Sequence, residues 1–457
     1  MPHPDAANEE SCSMSNSEKA HFIPKGLLKE IRSRFAFVES DPQSGKRIFL
    51  DSASGSLRLK SMLQARMDQS QYPDQLGRLS LASRHADEVM AKGFQDVRDF
   101  LGTPSGTIMP GMSSTHAVYR VVNAVLASAP GTNVVTTDLD HPSVYDATAY
   151  FAKEYGKQWR IAHLDPETGF VNPEAILENV DEQTALVALI HGSNTTGTVL
   201  DIKHVAAACR DKNPDVFVLA DGVQFAPHAA IDVQDLGVDA YVFGPYKIFC
   251  AKGIGFAFLS DRLARLKHWS LAGKAGDDWI LGSPDDSLYA AWSAVVDYLV
   301  WLGAAYTDST DKRTMIVAAM NACEKHGRSL LKRCLHGAGS LPGLLAMDHV
   351  RVHGMTEELS HRFCLMLLSF PKLDAKKAAC IYNKAGIHVH YRVPDAYSAH
   401  TLSALGIEGA VRLSTCHYNT PEEIDAFLET TLKFAELSDA EIANIEEESG
   451  HRSFGEG

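Results

Sequence analysis

The middle of the chain alternates between short apolar runs and longer stretches with helical spacing. The apolar runs fall at 106–109, 133–136, 159–164, 185–190, 216–220, 240–243 and 255–259. Such short, nearly continuous apolar runs are what strands buried on both faces look like. Between them, 114–128 and 203–211 space their apolar residues as helices do. So does Ala86–Leu101, with Val89, Met90, Phe94, Val97, Phe100 and Leu101. Strand and helix in alternation predict an α/β fold: a largely parallel sheet covered by helices on both faces. Upstream, 26–36 reads as a short amphipathic helix, and IFLDSASGSL (48–57) as a strand end meeting a Ser/Gly turn.

After Leu259 the pattern changes. Residues 261–287 are loop-rich, and a long helix at about 285–304 leads into a second unit. That unit has helices near 313–335 and 372–385, strands near 349–353, 387–391 and 410–414, and a final helix from Thr420 to about 437. Thr420, with Glu423 three positions on, forms the capping box that starts this helix. A smaller α+β unit is expected. The polar first 20 residues and the acidic tail from Asp439 are expected to be disordered.

Composition narrows the function class. A chain of 457 residues is too long for one compact core. The net charge of −14, without a Lys/Arg cluster, argues against nucleic acid or an anionic membrane as partner. Eight scattered cysteines with no CxxC pair argue against a zinc site or a disulfide framework and fit a reducing compartment. The N-terminus lacks a secretory pattern, and the most apolar long run, 289–306, is interrupted by Asp297. A cytoplasmic protein holding no metal is expected.

Ligands of open α/β sheets sit beyond the strand C-termini, and there the chain places reactive groups. The run 216–220 ends on Asp221, followed by Gly222 and Gln224. The run 240–243 leads into Gly244-Pro245-Tyr246-Lys247. A carboxylate and a lysine at two strand ends suit one chemistry. The lysine holds an aldehyde cofactor as a Schiff base, and the carboxylate pairs with that cofactor's ring nitrogen, making the ring an electron sink. Such a lysine must be neutral, so burial and a nearby cation should lower its pKa.

Four further features have two readings each. The hydroxyl residues at 113–115 open a helix, as a phosphate site or as an ordinary N-cap. His141, after VVTTDLD, stacks on a planar ring or sits on the surface. Asn194, in LIHGSNTTGTVLDI, bonds a ring hydroxyl or substrate, or makes an Asx turn. Arg412, on the strand GAVRLS, grips a substrate α-carboxylate or makes a structural ion pair.

Taken together and in this order, the phrases DLDHPSVYD, HGSNTTGTVLDI, ADGVQ, YVFGPYKIFCAKGIG, LGSPDDSLYAAWSAVVDYLVWLG and VRLSTCHYNTPEEID resemble the class V aminotransferase and cysteine-desulfurase group of fold-type I pyridoxal-phosphate enzymes. The resemblance covers about residues 48–435. It implies pyridoxal 5′-phosphate as cofactor and a three-layer α/β/α large domain (48–305). A small α+β C-terminal domain (306–438) would follow, with 21–47 packed on it and a flexible tail at 439–457.

It further implies that Lys247 carries the cofactor, Asp221 pairs with the ring nitrogen and His141 stacks on the ring. Gln224 and Asn194 would contact the ring oxygen or the substrate, and Arg412 would hold the substrate carboxylate. Ser114 and Thr115 fall where the phosphate is bound, next to Tyr246. Ser283 matches a position reaching the phosphate from a partner subunit, which implies a homodimer with a shared active site.

The sequence departs from the desulfurases in places. The stretch 386–406 contains no cysteine where they carry a nucleophile, so persulfide formation by that route is not expected. His390 stands where they have an arginine, Tyr246 replaces a histidine, and Gly244 replaces a phosphate-binding serine. These changes point to a different small amino-acid-like substrate. The expected activity is aminotransferase-type chemistry at Cα. The alternatives are a C–S or β-elimination lyase and, from another class, a non-catalytic protein of this fold.

Overall fold

The structure, a computed structural model, describes residues 21–445. The segments 1–20 and 446–457, expected to be disordered, lie outside the described residues.

Seven strands form the main sheet: β1 (Thr107–Gly111), β2 (Asn133–Thr137), β3 (Gln158–Ala162), β4 (Thr184–Ile190), β5 (Phe217–Asp221), β6 (Ala240–Phe243) and β7 (Gly255–Leu259). Their order is β1-β7-β6-β5-β4-β2-β3. All pairings are parallel except those of β7, which runs antiparallel to both β1 and β6. Alternation along the strands separates two cores. Val135, Leu189, Val218, Ala220, Tyr241 and Phe243 join the cluster under the helices Leu81–Leu101 and Asp286–Gly303. Val134, Ala188, Leu219, Ala240 and Val242 pack on the other side under Ser114–Ser128 and Pro142–Glu154. Two-sided burial is why these strands read as apolar runs rather than alternating ones.

A second, four-stranded antiparallel sheet is built from β8 (Arg351–His353), β9 (Leu365–Ser369), β10 (His390–Arg392) and β11 (Ala410–Ser414), in the order β8-β9-β11-β10. Met366, Leu368, Val411 and Leu413 bury one face of it against Leu330, Leu331 and Phe427 of the helices Lys312–His336 and Pro421–Leu432. The capping box at Thr420 and Glu423 is present. Near the N-terminus, the helix Lys25–Ser33 is tied to this region through the Arg32 guanidinium, which donates to the Tyr418 carbonyl at 2.7 Å and pairs with Glu423 at 2.9 Å.

The structure departs from the sequence reading in four places. The run 387–391 is not one strand. It switches sheets at Val389, so Ile387–His388 pairs with Ile48–Phe49 while His390–Arg392 pairs with β11. β9 is an apolar run that length and periodicity alone do not separate from a buried helix. Residues 399–404, to which the sequence reading assigned no element, form a short helix. Asp439–Ala443, placed in a flexible tail, is a helix nucleated by the Ser438–Glu441 capping box. None of the described helices is long and apolar enough to cross a membrane.

Candidate active site

The C-terminal ends of β1, β2, β4, β5 and β6 converge on a cavity of about 520 Å³. Ser114, Thr115, His141, Asn194, Asp221, Gln224, Tyr246, Lys247 and His390 all line it. Nine of the residues singled out from the sequence are thus brought together. Two are not. Arg412 lies behind the cavity wall, 1% exposed, with Nη1 donating to the Asn194 carbonyl at 3.0 Å. Its Nη2 donates to Asp51 at 3.0 Å and to the Ser54 hydroxyl at 2.7 Å. Ser283 is exposed and outside the cavity of its own chain.

Lys247 sits on a short 3-10 turn, Pro245–Lys247, whose backbone N–H returns to the Gly244 carbonyl at 3.0 Å. Two residues on, buried Phe249 holds a left-handed backbone (φ 61°), a strained conformation that fixes the turn. The Lys247 amine donates to the Ala53 carbonyl and, at 3.3 Å, to Gln224 Oε1. Ala53 is aimed by its own N–H, which donates to Ser414 Oγ at 2.9 Å, and Tyr418 Oη clamps Ser52 and Leu57 on either side. Burial, then the Arg412 and Arg392 charges, lower the Lys247 pKa from its ordinary 10.5 to about 7. The amine is therefore half neutral at neutral pH, as Schiff-base chemistry needs.

Asp221 ends β5, and burial pushes its carboxyl up to about 6 against the Val223 N–H, the Ser143 hydroxyl and Lys247. Ser143 links it to His141. The Ser143 hydroxyl donates to Asp221 at 3.3 Å and lies 2.8 Å from His141 Nδ1. His141 caps the helix Pro142–Glu154, and burial with the Lys247 and Arg392 charges drops its pKa to about 3, so its imidazole is neutral.

The loop that carries His141 is anchored by Asp140. This fully buried carboxylate accepts from both Thr136 and Thr137 hydroxyls, the Thr137 N–H, and the Ile190 N–H of the neighbouring strand. Asp140→Ala strands these donors. It is expected to destabilise the protein by about 2–4 kcal/mol, read by chemical denaturation, and to weaken cofactor binding by displacing His141.

At the opposite end, Ser113 is the N-cap of the helix Ser114–Ser128, accepting from the His116 N–H. Ser114 Oγ is buried with no hydrogen-bond partner. Gly255 and Gly244 crowd this terminus. A Cβ at 255 would lie 2.4 Å from Ser114 N, and one at 244 would lie 2.6 Å from Ser114 Oγ. The two glycines therefore keep a cradle open at a helix N-terminus, where free N–H groups and the dipole favour an anion. An aldehyde-bearing aromatic ring with a phosphate fits the set: an amine for the aldehyde, a buried carboxylate for a ring nitrogen, and an orphaned hydroxyl for the phosphate.

The sequence reading missed Arg392, Tyr397, Ser143 and Lys252, which also line the cavity. Arg392 was discoverable. In HYR, residues two apart on a strand face the same side, so a strand that points His390 inward points Arg392 inward as well.

Comparison with known proteins gives the family. The family model described as aminotransferase class-V matches residues 48–427, and the chain belongs to that family. It is thereby a pyridoxal-phosphate-dependent enzyme of the fold-type I class. Aminotransferase-like protein FGM3 of Gibberella zeae is 27% identical over 88% of this chain and 96% of its own length. A cysteine desulfurase of Pectobacterium atrosepticum is 24% identical over 87% of this chain and 95% of its own. Among solved structures, apo cysteine desulfurase of Thermococcus onnurineus superposes with a TM-score of 0.75 at 19% identity, covering 89% of this chain and 98% of that one. The cysteine desulfurase CsdA of Escherichia coli gives 0.72 at 19%, over 90% and 98%. At that identity the structural likeness speaks to fold.

Proposed function

We propose that this enzyme acts at the Cα of a small amino acid or amino-acid-derived metabolite, with Lys247 carrying the proton in aminotransferase-type chemistry. The observation behind the reading is the buried Lys247 amine, hydrogen-bonded between Ala53 and Gln224, with burial lowering its pKa well below that of an ordinary lysine. When bound, pyridoxal phosphate supplies the electron sink for charge that develops at Cα.

The chain's own residues divide the rest of the work. Asp221 would keep a proton on the ring nitrogen, and Ser143 ties that carboxylate to the His141 imidazole, which would hold the ring. Ser114, Thr115 and the free N–H groups of their helix take the phosphate. Lys252 adds a cation there, and in a homodimer Ser283 of a second copy reaches the same group. Asn194, Gln224 and Tyr246 position the ring oxygen and the substrate. Arg412, already held by Asp51, bonds the substrate α-carboxylate.

Desulfurase chemistry by a cysteine nucleophile is not part of the reading. No cysteine lines the cavity among the described residues, and all seven described thiols are buried. Burial pushes Cys250 and Cys416, the two nearest the site in sequence, up to about 12, so neither supplies a thiolate.

Incubation with β-substituted and unsubstituted amino acids separates the reactions. Transamination is expected to yield keto acid and to aminate an added keto-acid acceptor. Pyruvate and free ammonia as the sole products would overturn that in favour of β-elimination, and no reaction with any amino acid would remove the reading altogether.

A further inference from the structure

Two guanidinium groups lie on adjacent antiparallel strands, Arg392 on the cavity wall and Arg412 just behind it, and they are not equivalent. Arg412 on β11 already has the Asp51 carboxylate, the Ser54 hydroxyl and the Asn194 carbonyl. Arg392 on β10 lines the cavity directly and is 8% exposed. Its Nη1 reaches only the Ser398 hydroxyl, at 3.3 Å, and its Nε, like that of Arg412, has no partner. Among the described residues no carboxylate pairs with it. The nearest acidic group in sequence, exposed Asp395, makes no ion pair with it: its Oδ1 accepts from the Ser398 hydroxyl at 2.9 Å and the Tyr397 N–H at 2.8 Å, so its charge reaches Arg392 through Ser398 and not by direct contact. Taking a guanidinium out of water without an anion is strongly unfavourable. A buried, unpaired arginine aimed into a ligand cavity is therefore a receptor for an anion that the ligand brings.

Which anion follows from position. Arg412 bonds the Asn194 carbonyl and the hydroxyl of Ser54, the residue next to the Ala53 carbonyl that accepts from the Lys247 amine, and this places Arg412 at the Cα end. Arg392 lines the cavity and bonds the hydroxyl of Ser398, the residue next to Tyr397. It therefore lies toward the outer side, where the exposed Tyr397 ring stands 6.3 Å from the His141 ring. An α-carboxylate on Arg412 leaves Arg392 unsatisfied.

We propose that Arg392 selects the substrate: it receives a second oxyanion, carried on the side chain of an α-amino acid whose α-carboxylate lies against Arg412. The substrate class is thus acidic, with a carboxylate, sulfinate, sulfonate or phosphate beyond Cβ. This rests on the reading that the site works at the Cα of an amino acid.

The test titrates the purified holoenzyme with matched pairs: aspartate and asparagine, glutamate and glutamine, O-phosphoserine and serine. The readout is half-saturation of the change in cofactor absorbance, with turnover as a second measure. In wild type at least one acidic member is expected to saturate at about 10- to 100-fold lower concentration than its neutral partner, the strength of a charge-assisted pair. In Arg392→Gln that preference falls to within about 3-fold, and Arg392→Lys restores part of it. Cofactor absorbance and thermal melting of each variant verify that the site is assembled. Equal responses to both members of every pair in wild type overturn the proposal and leave the amino-acid reading standing. So does a loss in Arg392→Gln that is the same for acidic and neutral members, because Arg392 then serves the α-carboxylate. Absence of any response to any amino acid overturns the underlying reading and this inference together.

Discussion

Lys247→Ala is expected to leave a folded protein that no longer attaches pyridoxal phosphate covalently and has lost activity by about 10⁴-fold or more, as removal of a covalent catalytic group does. Borohydride treatment should fix the cofactor to the wild-type chain, and denaturation after the same treatment should still free it quantitatively from the variant. The wild-type pH dependence carries a second signature. With its pKa near 7, half of the Lys247 amine is neutral at pH 7, against about one part in three thousand for an ordinary lysine. Covalent uptake of the aldehyde by the apo-protein should therefore rise through pH 7 and level off above it.

Stability follows the same linkage. Between pH 7 and 10.5 the unfolded chain binds the proton that the folded chain has given up, so the apo-protein gains stability as pH rises across that window. Below pH 7 both states are protonated and the cost of the buried charge is present in full. Lys247→Ala should flatten this rise. A variant that still reacts with the aldehyde would move the attachment point elsewhere, and a wild-type uptake curve that keeps climbing to pH 10 would show that the Lys247 pKa is not lowered.

Much of the sheet was legible because its strands are buried on both faces, so position along the chain carried the signal without any need for period. The run 240–243 and the run 255–259 match β6 and β7 residue for residue. Asp221 and Lys247 were legible because a charged residue directly after an apolar strand has a defined place, the C-terminal edge. Arg412 was found on its strand, yet its partners were not. Asp51 and Ser54 come from the loop after Phe49, and only the fold brings residues more than three hundred positions apart into one ion pair.

The hardest information to read was what each cation already holds. Arg392 and Arg412 are alike in sequence, each a lone arginine in a short strand. One is paired and the other is not, and that difference is tertiary. Ser143 escaped for another reason. It lies in the first turn of the helix Pro142–Glu154, where serine is commonplace, and its link from His141 to Asp221 exists only because β2 and β5 end at the same edge of the sheet, one on each side of β4.

The second large effect is expected at Asp221, where function and stability should part. An aspartate with its ordinary pKa of 3.8 in the unfolded chain and about 6 in the folded one binds its proton more tightly when folded. Apo-protein stability therefore falls as pH rises from about 4 to 6, and above pH 6 the buried carboxylate imposes its full cost, about 2–3 kcal/mol. Asp221→Asn removes that charge at nearly constant volume. The amide oxygen still accepts from the Val223 N–H, seen at 3.0 Å, and the amide nitrogen donates to Ser143 Oγ in place of accepting from it. The apo-variant should melt a few degrees higher than wild type at pH 7.5 and equal it near pH 4, where wild-type Asp221 is itself protonated.

Activity should move the other way, falling by about 10²- to 10³-fold, because a neutral amide does not hold the ring nitrogen protonated and the electron sink is lost. Scanning calorimetry of the apo-proteins at the two pH values, with turnover of the loaded ones, gives both numbers. Loss of activity with loss of stability would make Asp221 a structural residue. Gain of stability with loss of activity identifies a carboxylate kept charged in the apolar end of β5 for the sake of the cation that the cofactor brings to it, which is the same logic that leaves Arg392 waiting for an anion.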